Sequence, residues 1–253
     1  MELFLDANIL PYPLETASSR ILYSTAKLFS RSGISIRYFL IFFFRNPNLY
    51  IIRKNKHFSI GIYVQYGGVI GAFNCQGAGW DPKEQRIKGH PECYKPMSTT
   101  VHVSDVEWDQ KPEAAPMGNF TEYIVYLNQA EQILHTTPKS EPLKVTIQPS
   151  TFEIFSFIPL RKLNSNIKFA PIGLKNMFNS SGTIQHLKYN ENGVELKVKG
   201  GGNFIAYSSA SPKKCISNGV EVEFEWDDSD GQLSFDLPWI EEAKGVSNVE
   251  ILF

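Results

Sequence analysis

The chain has 253 residues but only three cysteines, Cys75, Cys93 and Cys215, and no two of them share a Cys-x-x-Cys spacing. That excludes a disulfide framework and a cysteine-built zinc site as the basis of the fold. Reduced thiols are the simplest reading, and they go with a cytoplasmic protein. An excess of either charge is also lacking. The 25 Lys and Arg residues offset 26 Asp and Glu residues, leaving a formal net charge of −1. There is no basic footprint for nucleic acid and no acidic tail. Such a balance suits an uncharged partner such as a sugar, without arguing for one.

Long hydrophobic runs are missing as well. The apolar stretch Tyr38–Phe44 sits between Arg37 and Arg45, far short of the ~20 residues a membrane span needs. It reads as a buried strand or helix segment, or as sequence outside a folded unit. The opening stretch Met1–Thr16 carries Glu2, Asp6 and Glu15 and lacks the positive n-region of a secretory signal. His57, His90, His102, His135 and His186 show no His-x-x-His or His-Glu-x-x-His spacing, so no metal site is expected. Gly71, Gly77 and Gly79 do not form Gly-x-Gly-x-x-Gly, and Pro82 follows where a helix would have to start. They fit a bulge or a close backbone approach better than a phosphate loop.

Hydrophobic residues make up 42% of the chain and aromatics 13%, the composition of a globular protein large enough to bury a core unaided. The chain changes character near residue 60. Residues 1–60 show no clear period. A short helix over 15–31, with Ile21, Leu22 and Leu28 on one side, is the only regular element they suggest. Residues 61–253 read as β structure. Val194, Leu196 and Val198 alternate with Glu195, Lys197 and Lys199. Val220, Val222, Phe224 and Trp226 alternate with Glu221, Glu223 and Glu225, and Leu233, Phe235 and Leu237 with Ser234 and Asp236. A period of two turns each apolar set toward a core and each charged set toward water.

Asn192-Gly193, Gly200 to Gly202, Asn218-Gly219 and Asp230-Gly231 supply the turns between these runs. Further strands are expected at Val69–Asn74, Tyr123–Asn128, Leu143–Ile147, Glu153–Ile158, Phe169–Ile172, Phe204–Ser208 and Val249–Phe253. Many short strands with frequent turns predict an all-β, antiparallel β-sandwich. The Pro-rich stretch Pro82–Pro116 predicts a long surface loop.

Few residues offer chemistry. Asp227-Asp228 lies beside Asp230-Gly231 and reads as a hairpin turn. Asp105, Glu107 and Asp109 flank Trp108 as a solvated face or, alternatively, a sugar-contacting cluster. Glu241-Glu242 reads as a solvated turn. Cys75 reads as a buried structural thiol. Sugars stack their C–H faces on exposed aromatic rings, so the four tryptophans are candidates. Trp226 falls on the apolar face of its strand, and Trp239 is expected half-buried. Trp80 and Trp108 border the long loop and are the candidate sugar-binding residues.

Two segments carry a family likeness: Tyr66 to Asp81, reading YGGVIGAFNCQGAGWD, and Lys168 to Thr183, reading KFAPIGLKNMFNSSGT. With Gly89–Pro96, Val106–Lys111, Ile147–Glu153 and Pro238–Glu242, they resemble the C-terminal part of plant raffinose and stachyose synthases, the galactosyltransferases of glycoside hydrolase family 36. The likeness covers residues 66–253. It implies transfer of galactosyl from galactinol to raffinose-type acceptors by a cytosolic enzyme without cofactor. It also implies a catalytic (β/α)8 barrel on which a C-terminal β-sandwich packs. Retention of configuration needs two carboxyl groups about 5 Å apart. In the family one lies in a Lys-x-Asp motif and the other in Asp-Asp followed by an aromatic or aliphatic residue.

No Lys-x-Asp occurs here, and Ser229 follows the only Asp-Asp pair. No catalytic residue can be carried over. A barrel takes ~250 residues, and roughly 60 precede the β region. The expectation is a stachyose-synthase-like piece without its catalytic barrel, behind a truncated or non-native N-terminus. Its alternatives are a free-standing sugar-binding module and an accessory subunit of a full-length synthase.

Overall fold

The computed structural model describes residues 49–54, 57–64, 66–74, 78–81, 83, 85–89, 94–106, 120–149, 151–163 and 166–253. The helix expected over 15–31, the apolar run at 38–44, Cys75, Cys93, His90, Glu107, Trp108 and Asp109 lie outside them. Among the described residues there is no α-helix. No helix there is long and apolar enough to cross a membrane.

The strands begin with β1 (Leu49–Lys54), β2 (His57–Val64), β3 (Gly67–Phe73), β4 (Ala78–Asp81), β5 (Arg86–Gly89) and β6 (Met97–Val101). Next come β7 (Tyr123–Leu127), β8 (Gln132–Thr136), β9 (Leu143–Ile147), β10 (Phe152–Pro159), β11 (Arg161–Lys162) and β12 (Lys168–Leu174). Then follow β13 (Ile184–Asn190), β14 (Gly193–Lys199), β15 (Gly202–Ser208) and β16 (Lys214–Ser217). The last are β17 (Val220–Val222), β18 (Glu225–Trp226), β19 (Gln232–Leu237) and β20 (Val246–Leu252).

Three large sheets have the orders β1-β2-β3-β10-β7-β8, β11-β12-β15-β19-β18 and β13-β14-β20-β16-β17, while β6-β9 and β4-β5 form two ribbons. Their pairings are antiparallel, as strands joined by short turns allow. The fold is all-β, and no (β/α)8 barrel exists among the described residues. Residue 61, where the β unit is expected to start, falls inside β2.

Packing extends the expected two-layer sandwich into a stack. Phe169, Phe204 and Phe235 meet Val194, Leu196, Val198, Val249 and Ile251 between the β12-β15-β19 sheet and the β14-β20 sheet. Ala170, Ile172, Ile205 and Tyr207 leave the other face of β12 and β15 and pack on Ile124, Tyr126 and Ile158 of β7 and β10. The far side of β7 and β10, with Tyr123, Val125, Phe155 and Phe157, is covered by Val101, Val103, Val106 and Ile147. Burial on both faces explains why β15 reads Phe-Ile-Ala-Tyr without alternation, whereas β14, covered on one face, alternates. Each fully buried Phe stabilises the stack by about 2–3 kcal/mol. Phe204 and Phe235 add ring contact at a centroid distance of 5.0 Å.

Two expectations need correction. The stretch from Pro82 to Pro116 is not one surface loop. Its described part holds strands of the β4-β5 and β6-β9 ribbons, and Val101, Val103 and Val106 are core residues. Pro96, the described proline of the stretch, immediately precedes β6 and does not forbid it. The alternating run Val220–Trp226 is not one strand. β17 belongs to the β16-β20 sheet and β18 to the β19 sheet, so the chain crosses between layers at Glu223 and Phe224. Glu221, Glu223 and Glu225 all stay exposed. Val220, expected in the core, is 66% exposed because β17 is the edge strand of its sheet.

Candidate functional site

Chemistry at a galactosyl centre needs carboxylates aimed at a cavity. Several of the described carboxylates are instead committed to backbone hydrogen bonds and ion pairs. Asp227 accepts from Ser229 N at 2.8 Å and Asp230 from Gln232 N at 2.8 Å, closing the β18-β19 hairpin turn. Hydrogen bonds from Ser229 hold the Asp227 carboxyl below its usual range. Asp105 accepts from His102 N at 2.9 Å and caps a single 3-10 turn. Glu241 and Glu242 stand exposed in the turn before β20.

Glu153 is the one buried carboxylate among the described residues, 7% exposed. Its Oε1 accepts from Gln129 N and Ile154 N, both at 2.8 Å, and its Oε2 from Ala130 N at 3.1 Å. A carboxylate with three backbone donors is a turn clamp.

The segment Lys168–Thr183 is structural in the same sense. Gly173 adopts φ 115°, and a Cβ there would collide with the Ser180 carbonyl oxygen. Only glycine fits that approach. Ser180 Oγ donates to Asn128 Oδ1 at 3.3 Å, and Asn128 Nδ2 donates to Ile154 O at 3.0 Å and Ser156 Oγ at 3.2 Å. The segment thereby ties β12 to the turn after β7 and to β10.

One cluster gathers titratable groups far apart in sequence. Glu122 and Lys168 meet at 2.6 Å, each partly exposed. The His135 ring stands edge-on to Tyr207 at 4.7 Å. Burial, and then the Lys168 charge, holds His135 below the ordinary imidazole value. Burial raises Tyr207. The hydrogen bond from Lys168 lowers Glu122. The cluster joins two layers and contains no nucleophile–base hydrogen bond. Elsewhere, Arg161 lies 4.9 Å from the centre of the Phe120 ring and 5.1 Å from that of Tyr189, a packing use of guanidinium.

The tryptophans divide. Trp80 lies in β4 opposite Ile87. Trp108 is outside the described residues. Trp226 donates its indole N–H to Ser208 O at 3.1 Å and lines the core, as expected. Trp239, expected half-buried, is 54% exposed. Cys215 is a free buried thiol pushed up to about 12 by burial, and so is inert. Among the described residues, no group of three or more His, Cys, Asp or Glu could hold a metal.

The class this defines is a layered antiparallel β module in which Glu153, Asp105, Asp227 and Asp230 serve its own turns. A family model described as "Raffinose synthase or seed imbibition protein Sip1" matches residues 44–237. The chain belongs to that family. It is 59% identical over 210 residues to stachyose synthase of Pisum sativum, covering 83% of this chain and 24% of that protein. It is 49% identical over 214 residues to probable galactinol–sucrose galactosyltransferase 4 of Arabidopsis thaliana, again 83% of this chain and 24% of the relative. Identity to the galactinol–sucrose galactosyltransferase of Oryza sativa subsp. japonica is 35% over 196 residues, 75% of this chain and 24% of that protein. The chain thus spans about a quarter of the length of the curated relatives it matches.

Proposed function

We propose that this chain is the β module of a galactinol-dependent galactosyltransferase of raffinose-type oligosaccharide metabolism, and that by itself it transfers no galactose. The 59% identity to the pea stachyose synthase carries the reading of substrate class. The clamped carboxylates Glu153, Asp227 and Asp230 support the second half, because none is placed as nucleophile or general acid. Galactinol and raffinose are the sugars concerned. The free thiol of Cys215 supports a cytoplasmic setting.

The test is direct. Purified chain incubated with galactinol and raffinose yields no stachyose on this reading. Stachyose above a no-protein control would overturn it.

A further inference from the structure

Arg161 is half-buried, yet among the described residues no carboxylate pairs with it. The ion pairs of Glu122, Glu131, Glu195 and Glu221 all take lysines, namely Lys168, Lys175, Lys188 and Lys214. The guanidinium meets two aromatic rings instead, Phe120 at 4.9 Å and Tyr189 at 5.1 Å. Taking a cation part-way out of water costs free energy, and ring contacts return only some of it. A guanidinium also carries five N–H donors in a planar fork. Among the described residues none of them has an acceptor.

The fold builds this position from three places. Arg161 stands on β11, the edge strand of its sheet, Tyr189 on β13, the edge strand of the next, and Phe120 shortly before β7. Phe169, opposite Arg161 in register, is fully buried and meets the Tyr189 ring edge-on at 6.5 Å. The rings are thus anchored in the core while the guanidinium sits at a corner between two sheet edges. Burial raises the Tyr189 phenol, against the Arg161 charge. Burial also raises Tyr66, against the Leu187 hydrogen bond and then the Arg161 charge. Both phenols are therefore neutral at physiological pH and supply no counter-charge. Lys162 pairs with Lys168 in register, one step along the strand and so on the other face. Lys168 is already neutralised by Glu122. The corner therefore presents a single positive charge.

We propose that Arg161, held by Phe120 and Tyr189, is the receptor for a carboxylate. One guanidinium edge matches the two oxygens of a carboxylate in a bidentate pair. A phosphate dianion would call for a second cation, and Lys162 and Lys168 are turned away or occupied. The rings hold the side chain in place beforehand, so little entropy is lost on binding. Galactinol and raffinose carry no charge, so this site stands apart from the function proposed above and does not depend on it. The carboxylate comes either from a small free acid or from an Asp or Glu side chain of another polypeptide.

The experiment uses the full chain, uniformly ¹⁵N-labelled, with the Arg161 Nε–H signal assigned by its loss in Arg161→Lys. Sodium propionate, a blocked glycyl-glutamyl-glycine peptide and sodium phosphate are titrated separately, each against sodium chloride of equal ionic strength. The Arg161 signal should move saturably with propionate or the peptide, beyond the chloride control. Followed through the backbone amides of Phe120 and Tyr189, Arg161→Lys should weaken binding about fivefold, because it keeps the charge and loses the fork. Arg161→Met should abolish it. Thermal melting confirms that each variant is folded, and Arg161→Lys decides the matter if the Met variant is not. A stronger response to the peptide supports the site and marks a polypeptide side chain as the source. An equal or stronger response to propionate supports it and marks a free acid. A signal that moves no further than with chloride overturns the proposal. So does tighter binding of phosphate than of either carboxylate, or affinity unchanged in a folded Arg161→Met.

Discussion

Lys168 Nζ lies 2.6 Å from Glu122 Oε2, and this pair is an ionic link between the β7-β8 side of one layer and the first residue of β12 in the next. It owes its place to two strand ends, because Leu160 N bonds Glu122 O and Ser209 N bonds Lys168 O. Both side chains are more than a third exposed, so the pair contributes at most about 1 kcal/mol. Beside it, the His135 imidazole is depressed below 6.5, first by burial and then by the Lys168 charge, with Glu122 opposing.

A pH dependence follows. The folded chain holds the His135 proton less tightly than the unfolded chain, so unfolding takes up protons below pH 6.5. The stability from this group is complete above 6.5 and is lost as pH falls through the depressed value. Urea midpoints for the native chain and for His135→Phe should therefore diverge between pH 7.5 and about 5.5, with the variant losing less. The residue keeps one side open to water, so the divergence is small. Parallel midpoints across that range would refute the assignment. Lys168→Ala removes the second cause of the depression and should narrow the divergence.

Gly173→Ala tests the family segment. At φ 115°, a methyl group there would run into the Ser180 carbonyl, which is backbone and cannot swing aside as a side chain would. The expected cost is about 3 kcal/mol or more. A denaturant midpoint within error of the native chain would show that the Ser180 turn relaxes freely.

How legible this was from sequence depends on what set each residue's environment. Asn218-Gly219 predicts a hairpin, and the structure realises it with φ 52° and 81° between β16 and β17, the signature of a type I′ turn. Leu233, Phe235 and Leu237 fall on the core face, as their period requires. The Val220–Trp226 run shows where periodicity stops. Alternation reports which side faces water, and the Glu side does face it, but alternation is silent on which sheet each half joins.

The ribbon strand β6 escaped because Ser98, Thr99 and Thr100 are polar and sit among prolines. Its only deeply buried side chain is Val101. Trp239 escaped for a different reason. Its exposure is set by Gly201 and Gly245, distant in sequence from one another, and no local pattern brings them together.

Cys215 offers a check on core integrity. Its thiol is buried in the β14-β20 core, pushed up to about 12, and so stays protonated at neutral pH. Iodoacetamide labelling followed by peptide mass analysis should leave the Cys215 peptide unmodified in the native chain. The same peptide should label rapidly in urea. Modification at native conditions on the timescale of a free thiol would show that this core opens.

Substitutions at Glu153 separate a clamp from a catalytic carboxylate. The carboxylate accepts from three backbone N–H groups, but the three are not equivalent. Gln129 and Ala130 are exposed, so water can replace the acceptor there, whereas Ile154 is 2% exposed and its N–H would be left unpaired. The dominant loss in Glu153→Ala is therefore one buried donor plus the loosened turn, about 2–4 kcal/mol. Glu153→Gln keeps one oxygen but turns an NH2 group toward a backbone donor, and should cost about half as much. If Glu153 were instead held for chemistry, both variants would melt like the native chain. Urea denaturation of the three proteins at pH 7.5 decides it, and the order native, Gln, Ala in falling midpoint is the outcome that identifies a clamp.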